Sequence, residues 1–218
     1  MMTLKYKGAY YYYLYTYIIE NECDTFLIAD HLLKCPELIM TLSIEDRAPY
    51  RLIMIQAGNK GRNAGAHRMS FSYYKAAIDF GDRDLSWTMA EYSTTVSLYT
   101  NASALAWVVG EYDLTEDLLE DLLVFVRDPI DRSNAYRIQS KYYLSRQWYD
   151  KSSHALHKCL AELWGGYFEF NTTEEALHRE FYEAKAKLDK IGLENVVSDV
   201  KACDDSMFKT AAAVLEEL

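Results

Sequence analysis

Apolar positions recur along this chain with the spacing of helices rather than strands. From Thr25 to Lys34, Phe26, Leu27, Ala29, Leu32 and Leu33 form one stripe, with Asp24 as cap, and Pro36 stops the helix. Ser43 followed by Asp46 predicts a capping box opening a helix to about Asn59, with Leu52, Ile53, Ile55 and Ala57 inward. Gly58, Gly61 and Gly65 then break the pattern, as C-cap and turn glycines do. The next helix, about Ala66 to Phe80, buries Phe71, Tyr74, Ala77 and Ile78. A long helix follows from about Ser86 to Val109, carrying Trp87, Ala90, Val96, Leu98, Leu105 and Trp107, and Gly110 ends it. Thr115 to Arg127 is helical, with Leu118, Leu119, Leu122, Leu123 and Val126 on one side, and Pro129 sits where a new helix can begin. Further helices are expected over Ile130 to Arg146, Asp150 to Leu163, from a Thr172–Glu175 capping box to about Lys190, and over Asp205 to Glu217. The Tyr-rich start favours strand by propensity, yet Tyr6, Tyr10, Tyr13 and Tyr17 fall at helical spacing, so a helix is expected there too.

The succession of helix, short turn, helix raises the question of repetition. Three triplets share a 0, +4, +7 spacing of small or polar, large and mid-sized residues: Ser70, Tyr74, Ala77; Thr115, Leu119, Leu122; and Ser152, Leu156, Cys159. Tyr112-Asp113 and Tyr149-Asp150 share the offset that separates the second and third triplets, and Ser140 and Tyr143 fit a first helix paired with the third. The spacing resembles the second helix of a tetratricopeptide repeat, where small residues let paired helices approach closely. The expected fold is all-α, with helix hairpins stacked as a tetratricopeptide-like right-handed superhelix. Any amphipathic helix supplies this spacing; its coincidence with turn residues favours the repeat.

Composition adjusts the picture in a few places. Half of the residues are apolar, so a real core can form, and only three prolines and nine glycines punctuate the chain, which suits long helices. The formal net charge of −10 disfavours nucleic acid, whose affinity comes from Lys and Arg neutralising phosphates. The charge is unevenly spread. From Arg47 to Ile78 there is no acid, while Arg47, Arg51, Lys60, Arg62, Arg68 and Lys75 are basic. Glu111, Asp113, Glu116, Asp117, Glu120 and Asp121 carry no basic residue between them. These are two solvated helix faces or, on a sharper reading, a docking pair within or between chains. Cys23, Cys35, Cys159 and Cys203 lack metal or redox spacing and are expected to be reduced, mostly buried thiols of a cytoplasmic protein. No apolar run is long enough to span a bilayer, so no membrane association is expected.

Candidate chemistry is thin. Residues 58–65 are glycine-rich but are not a phosphate-binding loop, and they follow a helix rather than a strand. His154 and His157 share a helix face without a third ligand, and are expected to be exposed. His31 is expected to be partly buried and hydrogen-bonded. No catalytic residue, metal ligand or cofactor is assigned.

Several segments resemble the helical region of very large hybrid histidine kinases, the fungal branch above all: Phe26 to Leu33, Ala57-Gly58, Ser72 to Ala77, Gly110 to Asp113, Arg127 to Arg132, Ala135 to Ile138, Cys203 to Asp205 and Ala211 to Leu218. In that family the region follows protein-kinase-like and AAA-type ATPase regions and precedes GAF and histidine-kinase modules. The resemblance implies N-terminal helices continuing from an ATPase-type region over residues 1–42, repeats over 43–166 and capping helices over 167–218. It carries over no catalytic residue, because the family's ATP-binding loop and phosphorylated histidine lie outside this stretch. It implies a non-catalytic scaffold in signal transduction whose partners are proteins, signalling kinase modules or a second copy of the chain. The alternatives are an obligate subunit of a larger assembly and an enzyme whose site is not recognisable in the sequence.

Overall fold

The computed structural model describes residues 25–88, 90–164, 173–192 and 204–218, and among these residues every regular element is helical. The tyrosine-rich start, Cys23, Cys203 and Thr172 lie outside them. The helices are α1 (Thr25–Leu33), α2 (Pro36–Met40), α3 (Ile44–Asn63), α4 (His67–Phe80), α5 (Arg83–Ser86), α6 (Tyr92–Val109), α7 (Tyr112–Phe125), α8 (Pro129–Ser145), α9 (Tyr149–Trp164), α10 (Glu174–Ile191) and α11 (Ser206–Glu217). The chain divides into two compact units, residues 1–127 and 128–218, so the division falls inside the 43–166 segment.

In the first unit, α3 and α4 form one hairpin and α6 and α7 a second, with α4 packed on α6 and α1 on α3. Ser43 caps α3 by accepting from the Asp46 amide. Pro36 does not merely stop α1: it opens the short helix α2, because its missing N–H is one that a helix's first turn leaves unpaired anyway. Gly58 and Gly61 are likewise not cap glycines. Both lie buried inside α3, which runs on to Asn63, and only Gly65 takes the turn, with φ 74°. Their role is steric: a Cβ on Gly58 would sit 2.5 Å from the Tyr74 ring, and one on Gly61 would sit 3.1 Å from Ser70 Cβ. Helix propensity is given up here for close approach of α3 and α4.

The expected Ser86–Val109 helix is two elements. α5 starts on Asp82, whose carboxylate accepts from the Leu85 amide, and ends at Ser86; α6 begins at Tyr92. Trp87 lies between them, buried against Tyr99 and stacked on Phe125 at 5.2 Å, while Ala90 is exposed and Trp107 half-buried. Packing of this indole into the α6–α7 hairpin takes the place of helix continuation. Gly110 ends α6 in the left-handed region, where the Glu111 amide reaches back to the Ala106 carbonyl. In α1, Leu27 is exposed rather than inward; Thr25 and Ala29 carry the buried face.

In the second unit, α8 and α9 form a hairpin and α11 lies across both. Asp128 caps α8 through the Ile130 and Asp131 amides, with Pro129 in its first turn. Asp205 caps α11 through the Met207 and Phe208 amides. α10 opens after Thr173 without a side-chain cap. Arg137 holds Glu217 through two hydrogen bonds, at 2.6 and 3.1 Å, and Lys141 adds a third at 3.1 Å, tying α11 to α8. Trp164 meets Phe208 edge to face at 6.0 Å.

Candidate functional site

The small and mid-sized residues singled out by spacing lie inside their hairpins. Ser70, Tyr74 and Ala77 are fully buried between α3 and α4; the Ser70 hydroxyl donates to the Gly58 carbonyl at 2.6 Å and the Tyr74 hydroxyl to Asn59 Oδ1 at 2.7 Å. Thr115, Leu119 and Leu122 are buried on α7, and the Thr115 hydroxyl bonds back to the Glu111 carbonyl. In the second unit Ser140, Ser152, Leu156 and Cys159 are buried, and Tyr143 is half-buried against Tyr142 and Trp148. Ser140 and Ser152 touch through their hydroxyls. These positions build hairpins; they do not converge on a reactive centre.

The histidines sit differently from expectation. His31 is exposed, not partly buried, because α1 turns Thr25 and Ala29 inward and leaves His31 outside. His154 is exposed, but His157 is half-buried, with Nδ1 3.5 Å from the Ser153 hydroxyl. Among the described residues no group of three His, Cys, Asp or Glu side chains is arranged to hold a metal ion. Burial, reinforced by Glu162, pushes the Cys159 thiol up to about 12, so it stays protonated at neutral pH. Burial, with a hydrogen bond to Glu162, likewise raises the Tyr136 hydroxyl.

Arg51 is the residue that the pattern did not single out. It belongs to the basic stretch, yet it is 7% exposed. Its Nε donates to the Ala77 carbonyl, one terminal nitrogen pairs with Glu91, and the other reaches Ser86 Oγ and Thr95 Oγ1 at 3.4 Å each. Thr95 donates in turn to the Ser86 carbonyl at 2.7 Å. One guanidinium thus ties α3, α4, α5 and the start of α6 together, and its planar fork of donors makes this possible. The register carried a signal: Arg51, Met54, Gly58 and Gly61 fall at 3-4-3 spacing and all are buried.

Two clefts open on the first unit. One, of about 470 Å³, is lined by α3 side chains such as Ala48, Leu52 and Ile55, with Arg51 and Glu91 beneath. The other, of about 600 Å³, lies between the end of α4 and α7. Its apolar lining is Ile78, Tyr99, Leu118, Val124 and Phe125; Asp117, Glu120 and Asp121 add carboxylates from α7. Arg83 stands at one side, paired with Asp121 and 5.9 Å from the Phe125 ring centroid. Burial first, then Asp121, raises the Tyr99 hydroxyl above its ordinary value. The acidic stretch thereby supplies the rim of a cleft, and its Asp121 finds its cation in Arg83 rather than in the basic stretch.

No helix among the described residues is long and apolar enough to cross a membrane. Comparison with known protein families, curated proteins and solved structures finds no match to this chain.

Proposed function

We propose that this chain is a non-catalytic helical-repeat scaffold for protein–protein interaction, related to the helical region of fungal hybrid histidine kinases and acting in cytoplasmic signal transduction. The observation that carries the reading is the hairpin construction. In both α3–α4 and α6–α7 the 0, +4, +7 residues of the second helix are buried, and α4 packs on α6. Such units stack through nearest-neighbour contacts and present their outer helix faces for recognition. The ordered motifs from Phe26 to Leu218 support the relation to the kinases. The large clefts of the first unit are lined by mixed apolar and charged side chains, as protein-recognition surfaces are.

Affinity capture with the purified chain from the cells that make it, followed by mass spectrometry, tests the reading. It predicts retention of a signalling protein at near-stoichiometric yield. Retention of nothing beyond a matched acidic helical control contradicts it, as does turnover of a small-molecule substrate.

A second reading, an obligate subunit of a larger assembly, is favoured by α10. Phe181, Tyr182 and Leu188 on this helix are 65%, 63% and 41% exposed. Strong self-association of the chain at micromolar concentration, lost on Phe181→Glu, would select that reading.

A further inference from the structure

We propose that the cleft between α4 and α7 docks a basic amphipathic helix of a partner protein, with apolar side chains against Val124 and Phe125 and cationic side chains against Asp117 and Glu120. The inference rests on the scaffold reading and names the chemistry of the partner.

The cleft has two parts that call for one kind of ligand. Its apolar part is uncovered: Val124, which lines it, is 66% exposed. Its charged part is one-sided. Asp117, Glu120, Asp121 and Val124 follow each other at i, i+3, i+4 and i+7 on α7, so they face the cleft as a single stripe. Asp121 has Arg83, but among the described residues Asp117 and Glu120 have no cationic partner, and both are exposed. A helix with Leu or Phe at i, i+3 and i+4 would seat those side chains on the apolar part. Flanking Lys or Arg would lay their stems along it and bring their charged ends to the carboxylates. The cleft is open to solvent, whereas a small-molecule site encloses most of its ligand. Acidic segments meet like charge at α7, which excludes them as occupants. The Phe125 ring that forms the wall is stacked on buried Trp87, so the apolar surface is held rigid from behind. A rigid, preformed face lowers the ordering cost of docking.

The test uses the full chain and three fluorescently labelled synthetic helical peptides of equal length: Leu/Lys, Leu/Glu, and Ser/Lys with the apolar positions removed. Anisotropy at low salt reads binding. The expected result is saturable binding of the Leu/Lys peptide at micromolar Kd, about tenfold weaker for Ser/Lys, and none for Leu/Glu. The double variant Asp117→Lys with Glu120→Lys is expected to weaken Leu/Lys binding by about tenfold or more, and Val124→Asp to weaken it without loss of negative charge. All three positions changed are on the surface, so circular dichroism should show intact folding in each variant. Equal binding of Leu/Lys and Ser/Lys would mean attraction by net charge alone and would overturn the proposal. Binding unchanged in both variants would place the site elsewhere. Association of the chain with itself in sedimentation, abolished by the same variants, would make a second copy the occupant and equally overturn it. Peptide binding is scored independently of capture: its failure with a partner still captured sinks only this inference, whereas failed capture counts against the scaffold reading.

Discussion

Ser140 Oγ and Ser152 Oγ lie 2.7 Å apart, with both residues buried between α8 and α9. One hydroxyl donates to the other, so each has a hydrogen-bond partner inside the buried contact. There is no room for added volume at this contact, because interiors are packed near crystal density. Ser152→Leu is expected to cost about 1–3 kcal/mol through overpacking and through the orphaned Ser140 hydroxyl. His154→Leu, on the exposed side of the same helix, should stay within about 0.5 kcal/mol. Urea unfolding of the two variants measures both; equal midpoints would refute the packing assigned to Ser152.

Gly58 faces the Tyr74 ring so closely that alanine has no place there. Gly58→Ala gains roughly 1 kcal/mol of helix propensity. The clash outweighs that gain, since Tyr74 is fully buried and its hydroxyl is anchored on Asn59. A net destabilisation of about 1–2 kcal/mol is expected. Tyr74→Leu in the Gly58→Ala background should restore part of it, so the pair must be strongly non-additive in a double-mutant cycle. Simple additivity would show that the ring moves aside freely.

The two glycines also show where sequence reasoning stopped. Helix existence followed from periodicity, and Ser43, Gly110 and Pro129 marked the ends well because caps act locally. Gly58 and Gly61 carry the same local signature as cap residues, yet what decides their role is α4, whose Tyr74 and Ser70 press on them from beyond the turn. Trp87 is similar: its pattern continues a helix, and its burial against Tyr99 and Phe125 breaks one. Of the candidate docking cleft, the acidic stretch of α7 was visible in the sequence. Its pairing with Ile78 of α4 and Tyr99 of α6, which complete the apolar wall begun by Val124 and Phe125, was not, because that wall is assembled only by folding.

Arg51 offers a sharper test of the first unit. Arg51→Met removes four hydrogen-bond partners at once, among them the Ala77 carbonyl and Thr95 hydroxyl, which are buried. Glu91 is half-exposed and regains water, which limits the penalty to about 2–3 kcal/mol. Arg51→Lys keeps the charge but cannot span the fork, and should recover less than half of the loss. Thermal unfolding of the three proteins decides; full rescue by lysine would reduce Arg51 to a simple charge.

Acid should loosen α11. Hydrogen bonds from Arg137, together with Lys141, hold the Glu217 carboxyl below the usual glutamate range, against the opposing effect of burial. A carboxylate depressed in the folded state binds fewer protons than in the unfolded state. Its contribution is therefore complete above the ordinary glutamate value and is lost as pH falls through the lower folded value. Glu217→Gln should cost about 1 kcal/mol at pH 7 and progressively less as pH falls below the ordinary glutamate range. A wild-type-minus-variant difference that stays constant from pH 7 to pH 3 would remove Glu217 from the account.

A docking scaffold that uses the α4–α7 cleft as its contact surface must be covered there when its partner is bound. Hydrogen–deuterium exchange of the full chain, free and with its captured partner, tests that claim most directly. Slowed exchange over residues 112–125 and 83–86, with α9 and α11 unchanged, is the predicted footprint. Protection confined to residues 128–218, or none at all with the partner bound, would contradict it.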